Sequence, residues 1–462
     1  MINNSSVSIS TENAISPLDG RNAFKLNNLR KCYSDFILTK HRVGIELDYL
    51  VKLSQLKIIK PLNEPQIKQI KKIKDEFDAK EYQKVLAIER KTNHEAKAAE
   101  EYVKEKLKKI SSIGDMSQMI HFGLTSDDVN NIAYALIIKN ILKEIFYPEF
   151  EKILKHLKDF SIKYKSLPML SKTHGQPAAP TALGKEFLIY YKRLDREIRD
   201  LKSLNINAKL TGNTGNFNAH QFIYPKVNWI KFSQEFIEAY GLTPDYVTTQ
   251  IEPYDSLINI FEKILNINNI LIGLSIDFWL YIGMGYFHQK MIKLEVGSTA
   301  LPHKINPIYF EGAEGGFGVA NALLEFYIRK LSHSRLQRDL SDSTVRRSFG
   351  IAFGYSLLSY QSIIEALSRI SPNQEKIIAD LNSHYEVLSE AIQNYLRVNG
   401  KNDAYDKTKN FFRGKEVDSI SIKKFIDSLD LENLHKQKLK ELSPEKYTGL
   451  AEEIVNKFFK LK

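Results

Sequence analysis

The sequence is poor in cysteine and lacks targeting signals. Cys32 is the only cysteine among 462 residues, so one chain can form neither a disulfide nor a cysteine-based zinc or iron–sulfur site. The first 15 residues lack the basic start and apolar run of a signal peptide, and they lack the arginines of a transit peptide. A reducing, cytoplasmic location is therefore expected.

Several other signatures are missing. No repeat of fixed period occurs, which argues against a solenoid. The glycine-rich residues 312–318 have neither dinucleotide-turn spacing nor a phosphate-loop lysine, and no HExxH-like pattern indicates a metal. The longest apolar stretch, 270–287, carries Asp277 near its middle, and a charge there would cost roughly 2.5 to 3.5 kcal/mol in a membrane. We interpret this stretch as a buried core helix.

The composition is that of a folded protein with an excess of basic residues. Hydrophobic residues make up 43% and charged residues 26%, which is typical of globular rather than disordered chains. The formal net charge is +11. This excess fits an anionic partner, either nucleic acid or a multiply charged small substrate, and it equally fits a lysine-rich solvated surface.

Apolar residues recur at three- or four-residue spacing along most of the chain, as in Val43, Leu47 and Leu50. The pattern predicts an all-α protein with a bundle of long helices. The longest predicted helices cover 127–146, 182–204, 256–289 and 312–332. Breaks near residues 111–115 and 371–373 divide the chain into three predicted domains, 1–114, 115–367 and 368–462.

Polar segments interrupt these helices, and the first surrounds His174. A glycine follows this histidine and a proline comes three residues after it, so we expect the histidine in a loop between two helical stretches. Histidine titrates near pH 6.5 and is suited to act as a general acid or base. An ordinary surface or capping histidine would also fit this position.

The second segment, 297–307, is rich in hydrogen-bond donors and bounded by glycine and proline. Its backbone amides, with Ser298, Thr299, Lys304 and Asn306, are able to surround an anion. A lysine stabilises a developing oxyanion most strongly once water is excluded. An ordinary connecting loop would fit as well.

Glu311 follows this segment within one helical turn of Pro307. A carboxylate close to a histidine holds its tautomer and raises its pKa. The sequence alone does not identify His174 as that histidine.

Three more segments carry charged and polar side chains. Residues 335–347 contain four arginines interleaved with hydroxyls, a combination used in phosphate recognition. A salt-bridged helix surface explains the arginines equally well, but it explains Ser343 and Thr344 less well. Residues 92–95 and 121–128 each combine a histidine with small polar groups. There, His94 and His121 also fit structural roles, and Asp127 alternatively caps a helix.

Together, residues 121–128, 171–181 and 297–311 resemble the three signature regions of the fumarase/aspartase superfamily. Five further segments resemble one branch, the bacterial-type adenylosuccinate lyases: 16–21, 92–94, 249–253, 337–340 and 342–344. The resemblance extends to 413–415 and so covers nearly the whole chain. It implies three mostly α-helical domains, with a twenty-helix core in a homotetramer and active sites shared between subunits.

The resemblance also implies an activity. Members of that branch release fumarate by β-elimination from the nucleotides adenylosuccinate and SAICAR, the succinylated aminoimidazole carboxamide ribotide, in purine synthesis. Neither step needs a metal or an organic cofactor. The basic balance of the chain is compatible with such anionic substrates.

Roles for individual residues follow from the same resemblance. It makes His174 the general acid and Ser298 the general base, with Glu311 orienting His174. Lys304 and Asn306 would hold the carboxylate that carries the extra charge of the intermediate. The implied substrate-binding residues are Arg21, Asn22, Asn93, His94, Glu95, His121, Thr125, Ser126, Gln250, Thr299, Asn306, Arg338, Ser343, Thr344 and Arg347. A serine hydroxyl is a weak base at neutral pH, so Ser298 needs activation by neighbouring donors or positive charge.

Four positions depart from the usual pattern of the family. Thr299 and Leu301 stand where serine and methionine are common, and they keep the hydroxyl and the bulk. Asn22 replaces a tyrosine and Gly312 replaces an asparagine, so two substrate contacts are expected to be lost or moved.

Three other functions remain open from the sequence. Argininosuccinate lyase shares the histidine and serine loops, but the phosphate-region residues argue against it. A catalytically silent scaffold is a second alternative, against which the joint presence of His174, Ser298, Lys304 and Glu311 argues. A basic helical nucleic-acid binder would need a stripe of positive charge, and the sequence does not concentrate its charge in that way.

Overall fold

Long helices form where the sequence repeats apolar residues at helical spacing. The computed structural model describes residues 13–292, 296, 300, 301 and 303–461, and helices dominate this part of the chain. The α-helices, in order, are α1 Asn27–Arg30, α2 Asp35–Gln55, α3 Glu64–Asp75, α4 Ala79–Thr92, α5 Glu95–Lys108, α6 Ser126–Ile141, α7 Tyr147–Lys163, α8 Leu183–Ser203, α9 Asn218–Ile223, α10 Trp229–Glu238, α11 Asp255–Gly283, α12 Ile308–Leu331, α13 Ser341–Arg347, α14 Phe349–Ser368, α15 Gln374–Asn382, α16 Ser389–Val398, α17 Ala404–Phe412, α18 Ser419–Ser428, α19 Asn433–Lys440 and α20 Ala451–Phe459. The prediction of an all-α fold is confirmed.

Short strands and single helical turns complete the described elements. The strands are β1 Pro168–Thr173, β2 Gln176–Ala182, β3 Asn207–Ala208, β4 Thr243–Pro244, β5 Phe287–Gln289 and β6 Ile370–Pro372. They form three two-stranded sheets: β1 with β2 and β5 with β6 are antiparallel, and β3 with β4 is parallel. Four 3₁₀ turns cover Ala23–Leu26, Gly114–Met119, Tyr385–Leu388 and Pro444–Lys446, and a π turn, Leu142–Phe146, follows α6.

The chain divides into two compact units, each made of three separate segments. The first unit comprises Met1–Phe150, Glu197–Asn268 and Gly316–Ser359, and the second comprises Glu151–Arg196, Asn269–Gly315 and Tyr360–Lys462. These units are defined by contacts rather than by consecutive sequence. The division into domains 1–114, 115–367 and 368–462 therefore stays a prediction.

Helix boundaries follow from local sequence. Pro65 lies in the first turn of α3, where a missing N–H costs nothing. Asn63 accepts a hydrogen bond from the Gln66 amide at 3.0 Å, and the Gln66 side chain accepts one from the Asn63 amide at 2.9 Å. This reciprocal capping satisfies two amides that the helix itself leaves unpaired. The predicted helix 256–289 ends earlier, at Gly283, because Gly285 takes φ +74° and β5 follows.

The apolar stretch around Asp277 lies mostly in α11. By length and composition α11 is the one helix among the described residues that could cross a membrane, and half of its most apolar window is buried. Ile264, Leu271 and Leu274 are fully buried, whereas Trp279 and Leu280 are each 48% exposed. The predicted core helix is thus buried along one face and exposed along the other.

Each unit has its own apolar core. In the first unit, Phe261 and Tyr327 each pack against Phe349 with ring centroids 5.0 Å apart. In the second unit, the C-terminal helices surround a cluster that includes Leu388, Ile392 and Ile426. Such burial contributes roughly 25 cal/mol for each Å² of apolar surface removed from water.

Candidate functional site

Residues 121–128 form a turn that leads into α6. Thr125 is the N-cap, and its amide donates to the Asp128 carboxylate at 2.8 Å. The suggestion that Asp127 caps this helix is wrong, because Asp128 stands at the position from which a side chain reaches back to the cap. His121 and Gly123 both have positive φ, at +64° and +67°. A Cβ on residue 123 would lie 2.6 Å from the His220 ring, so only glycine fits this turn.

Asp128 also joins the start of α6 to residues 209–212. Its carboxylate lies 3.0 Å from the Lys209 ammonium, and both side chains are fully buried. The amides of Thr211 and Gly212 donate to it at 2.9 Å and 3.2 Å. A buried charge needs this many partners because desolvation is costly. Asp128 and Lys209 therefore fix the backbone of the first unit and are not free for a ligand.

Asp127 belongs to a second buried network, with arginines from the segment 335–347. Arg346 is 2% exposed and donates to Asp127 at 2.9 Å, and it lies 3.2 Å from Asp342. The Tyr254 hydroxyl donates to Asp342 at 2.6 Å. The salt-bridge explanation thus holds for Arg346, which is a buried structural cation.

The other three arginines of this segment differ from Arg346 in exposure. Arg335 is almost fully exposed, and Arg347 is about half exposed and pairs with Glu95. Arg338 is only 13% exposed. It lies 3.6 Å from Asp127 and donates to the Ser343 hydroxyl at 3.4 Å. Two cations that were predicted to bind a phosphate are thus already oriented by carboxylates of the first unit.

We call Glu95, His121, Arg338, Ser343 and Arg347 the binding cluster. All five belong to the first unit, and each has a side-chain partner within that unit: Glu46 for His121, Arg347 for Glu95, and Ser343 for Arg338. His94 is the N-cap of α5, and its Nδ1 accepts from the Lys97 amide at 3.2 Å. The Gln250 side chain donates to the Asn213 side chain, and the backbone N–H of Gln250 donates to the Gln337 backbone carbonyl at 3.3 Å.

The remaining predicted binding residues of the first unit are less constrained. Asn93 ends α4 in the left-handed region, at φ +50°. Arg21, Thr344 and Asn93 are exposed, and Asn22 and Ser126 are half-buried. Within the described ranges, no side-chain hydrogen bond or ion pair joins any of these five residues to another predicted site residue.

His174 occupies the tip of a hairpin rather than a loop between helices. Thr173 of β1 pairs with Gln176 of β2, so His174 and Gly175 form a two-residue turn. Their φ angles are +55° and +75°, as the right-handed twist of a tight hairpin requires. The turn leaves the His174 side chain exposed.

The segment after residue 299 leads into α12. Pro307 precedes the helix, and Glu311 lies in its first turn. The Glu311 carboxylate accepts a hydrogen bond from the Trp279 indole at 3.0 Å. Lys304 is exposed and Asn306 is half-buried. Ser298 and Thr299 lie outside the described residues.

A cleft of about 300 Å³ lies beside this segment in the second unit. Gln289, Lys304, Asn306, Tyr309 and Arg369 are among its lining residues. The Gln289 side chain donates to the Ile305 carbonyl at 2.8 Å, and the Arg369 guanidinium lies 4.6 Å from the Tyr309 ring. These contacts anchor the two flanks of the segment.

We call His174, Lys304 and Glu311, with Ser298, the proton-transfer group. The three described members belong to the second unit. No hydrogen bond joins His174 to Glu311 in the part of the chain that the structure covers. The orientation of His174 by Glu311 therefore stays a prediction.

Burial shifts the pKa of several groups in the first unit, among them Glu252 and His220. Burial raises the pKa of Glu252 to about 8, with Asp245, Asp127 and Asp255 adding to the shift against the Tyr254 amide. Burial lowers the pKa of His220 to about 4, so this histidine is neutral at physiological pH. No cluster of three or more His, Cys, Asp or Glu side chains suited to a metal is present in the described ranges.

Two residues that hold the binding cluster were missed from the sequence. Arg42 and Glu46 lie on α2 and are 5% and 2% exposed. Their signal was present: each stands beside the apolar residues Val43, Ile45 and Leu47, on a helix face that should be buried. A charge on such a face indicates a specific partner.

Comparisons with known proteins identify the family of the chain. The lyase family matches residues 30–320, and the family described as adenylosuccinate lyase C-terminal matches 334–448. The chain is 42% identical over 446 residues to adenylosuccinate lyase of Buchnera aphidicola subsp. Schizaphis graminum, covering 96% of this chain and 98% of that one. It is 40% identical over 446 residues to adenylosuccinate lyase of Escherichia coli strain K12, with the same coverage.

Solved structures show the same fold at much lower identity. A fumarate lyase from Mesorhizobium sp. BNC1 superposes with a TM-score of 0.77 at 15% identity, covering 94% of this chain and 98% of that one. The 3-carboxy-cis,cis-muconate lactonizing enzyme from Pseudomonas putida gives a TM-score of 0.75 at 15% identity, covering 93% and 95%.

Proposed function

The chain belongs to the adenylosuccinate lyase family of the fumarase/aspartase superfamily, and from this premise we propose its reaction. It releases fumarate from adenylosuccinate, giving AMP, and from SAICAR, giving the free carboxamide ribotide. The observation that carries the proposal is identity of 40% or more to adenylosuccinate lyases over 96% of the chain. The lyase class is shared by both family matches.

The reaction needs two proton transfers. A base removes a proton from the carbon beside a carboxylate, the C–N bond breaks as the double bond of fumarate forms, and an acid protonates the departing nitrogen. Each transfer contributes typically ~10²- to 10⁴-fold to the rate. We assign the acid to His174 and the base to Ser298. Exposure of His174 at the tip of a hairpin supports the first assignment, since the side chain is accessible.

Lys304 and Asn306 would hold the carboxylate that gains charge in the intermediate. Lys304 is exposed beside a cleft in the second unit, where a cation stabilises an oxyanion once water is excluded. Glu311 would orient His174. Loop closure over the substrate would supply the exclusion of water.

The nucleotide phosphate would bind to arginines of the binding cluster. Arg338 and Arg347 already face carboxylates, Asp127 and Glu95, and guanidinium groups bind phosphate with two parallel hydrogen bonds. Arg21, His94, Thr125 and Ser126 would complete the nucleotide and succinyl contacts, with Gln250 and Thr299. The basic net charge favours such an anionic substrate.

We also propose a homotetramer whose active sites are shared between subunits. Exposed apolar side chains on the long helices support self-association: Trp279 and Leu280 on α11, Val319 and Phe326 on α12, and Ile351 on α14 are 43 to 48% exposed. Large apolar side chains exposed on long helices fit a surface that a partner covers. A cytoplasmic location belongs to the same proposal, and the single cysteine fits a reducing compartment.

A direct assay tests the activity. Purified protein is incubated with adenylosuccinate, the ultraviolet spectrum is followed, and AMP and fumarate are identified by chromatography. We expect conversion by the wild type, unchanged after dialysis against EDTA, and conversion slower by ~10²-fold or more in Ser298→Ala and in His174→Ala. A folded wild type that converts argininosuccinate instead would support the alternative lyase, and conversion of neither would indicate a silent homologue.

Mixed oligomers test the sharing of sites. His174→Ala and Ser298→Ala subunits are each expected to be strongly impaired alone, but together they would form some sites with both wild-type residues. We expect partial recovery of activity after the two variants are unfolded and refolded together. Absence of recovery in oligomers verified to contain both chains would contradict shared sites.

A further inference from the structure

Helix α2 buries two opposite charges one turn apart. Arg42 and Glu46 stand at positions i and i+4, which lie on the same face of a helix, and both are at least 95% buried. Charged side chains are rarely buried to this extent unless they are paired. Neither residue was among the predicted site residues, yet each contacts one.

Glu46 contacts His121 directly. The distance from Glu46 Oε1 to His121 Nδ1 is 2.6 Å. Since a carboxylate only accepts, Nδ1 carries the proton, and Nε2 remains on the opposite edge of the ring. Among the described residues no hydrogen bond reaches Nε2, and the His121 side chain is 19% exposed.

His121 is the only cation that the described residues place beside Glu46. Glu46 Oε2 is buried and has no hydrogen-bond partner in the described part of the chain. The two other carboxylates that act on His121 have lysines of their own: Glu100 of α5 pairs with Lys97 and Lys104, and Asp128 of α6 pairs with Lys209. A carboxylate as buried as Glu46 needs a countercharge, and His121 supplies one in its protonated form.

The electrostatics agree with this pairing. Burial lowers the pKa of His121, but the hydrogen bond and charge of Glu46, together with Glu100 and Asp128, outweigh burial and hold that pKa above its usual value. The protonated ring then offers Nε2–H as a cationic donor. Such a donor suits an anionic group of a ligand.

Arg42 acts in the same way on Glu95. Its Nε donates to the Asn130 side chain at 2.8 Å, and its Nη2 donates to Glu95 Oε2 at 2.8 Å. The other oxygen of Glu95 pairs with Arg347. Arg42 therefore fixes the carboxylate that orients Arg347 in the absence of a ligand.

We propose that the buried charged face of α2 is a positioning element for nucleotide binding, in which Glu46 sets the ring of His121 to donate from Nε2 to an anionic group of the nucleotide, and Arg42 sets Glu95 against Arg347. This inference rests on the proposed function. Neither Arg42 nor Glu46 touches the ligand.

The main test is Glu46→Gln in the full-length protein, with KM and kcat for adenylosuccinate measured from pH 6 to 9 and the Kd of AMP measured by calorimetry. The amide keeps an acceptor for Nδ1–H but removes the charge, so the pKa of His121 falls. At pH 8 we expect KM and Kd to rise about tenfold, equivalent to ~1.4 kcal/mol, with kcat within threefold of wild type. The differences in KM and Kd between variant and wild type should become smaller towards pH 6, where His121 of the variant is protonated more often.

Asp48→Asn is the matched control. Asp48 lies on the same helix and pairs with Lys74 at 2.5 Å and with the Tyr240 hydroxyl at 2.6 Å, and neither partner is a predicted site residue. If the charges of α2 only stabilised the helix, Glu46→Gln and Asp48→Asn would have similar effects on KM, Kd and their pH dependence. We expect Asp48→Asn to keep KM, Kd and their pH dependence within twofold of wild type.

Arg42→Lys covers the case in which Glu46→Gln does not fold. Lysine keeps the charge beside Glu95 but cannot donate in a fixed fork to both Glu95 and Asn130, so we expect KM and Kd to rise about threefold. Folded variants at either position with wild-type KM, Kd and pH dependence would overturn the proposal for that residue while leaving the lyase assignment intact. A wild type that neither converts adenylosuccinate nor binds AMP would overturn both. If the wild type binds AMP without turnover, a weaker Kd in Glu46→Gln upholds the positioning role alone.

Discussion

The two groups of predicted site residues differ in how the single chain holds them. In the binding cluster, the side chains of Glu95, His121 and Arg338 each pair with a charged or polar neighbour in the first unit. In the proton-transfer group, His174 and Lys304 are exposed side chains of the second unit, and Glu311 hydrogen-bonds only to Trp279 among the described residues. One group is prearranged by its own fold, and the other is not.

This difference separates two physical requirements. Binding an anionic nucleotide benefits from cations fixed in advance, since less side-chain entropy is lost on binding. Proton transfer needs a group that reaches the reacting atoms, and a residue on a hairpin tip meets that need only when something completes its surroundings. Substitutions in the two groups should therefore separate loss of activity from loss of stability.

The largest effect is expected at His174. His174→Ala should lower kcat by ~10²- to 10⁴-fold, the typical contribution of one proton transfer, and leave the thermal unfolding midpoint within about 2 °C, because the side chain is exposed. Steady-state kinetics and circular dichroism measure the two quantities. His288, an exposed histidine in β5 of the same unit, provides the control: His288→Ala should change neither.

Arg346 should show the opposite behaviour. Arg346→Met removes the buried cation that pairs with Asp127 and Asp342. Among the described residues, the two carboxylates then keep only the longer ion pairs to Arg338. We therefore expect the free energy of unfolding to fall by ~3 to 5 kcal/mol. Urea unfolding at fixed protein concentration measures this loss. The exposed neighbour Arg335 is the comparison, and Arg335→Met should shift the free energy of unfolding by less than ~0.5 kcal/mol. Equal effects at the two positions would contradict the buried network.

Glu252 should give a smaller, pH-dependent effect in the same unit. Its pKa is about 8 in the folded protein and ~4.3 in an unfolded chain. Between these values only the folded state keeps the proton, so Glu252 makes the free energy of unfolding fall as pH rises, by ~1.4 kcal/mol per pH unit at most. Glu252→Gln should remove that slope. The stability of the variant relative to wild type should therefore be higher at pH 8 than at pH 6, as measured by urea midpoints. Parallel pH profiles for the two proteins would contradict the protonated carboxyl.

The sequence was most informative where one local rule decides the structure. Helical spacing predicted α6, α8 and α12 within a few residues, because apolar periodicity and capping act within a turn or two. It also indicated a helix around Val43, Leu47 and Leu50, where α2 lies. It was less informative for residues 171–181, which form a hairpin, because the short polar strands lack the alternation that marks a strand and His174-Gly175 is a weaker turn signal than Asn-Gly.

The candidate site was accessible mainly through resemblance to a family. The partners of the predicted residues were not accessible from the sequence. Glu46 and His121 are 75 residues apart, and Asp127 and Arg346 are 219 apart. Tertiary packing alone brings such pairs together. Even so, Arg42 and Glu46 are charged residues on a helix face that is otherwise apolar, and a search for such positions would have found both.

The smallest effect is expected at Trp279, and it sharpens the comparison most. In the single chain its indole donates to Glu311 at 3.0 Å, whereas the proposed role of Glu311 is to orient His174. If Glu311 serves His174 in the assembled enzyme, Trp279→Phe should change kcat less than twofold and the free energy of unfolding by about 1 kcal/mol or less, the usual worth of one hydrogen bond. Glu311→Gln, in contrast, should lower kcat at least tenfold. Matching losses in Trp279→Phe and Glu311→Gln would mean that the indole is the functional partner of Glu311, and the proton-transfer group would then be prearranged by its own unit, as the binding cluster is.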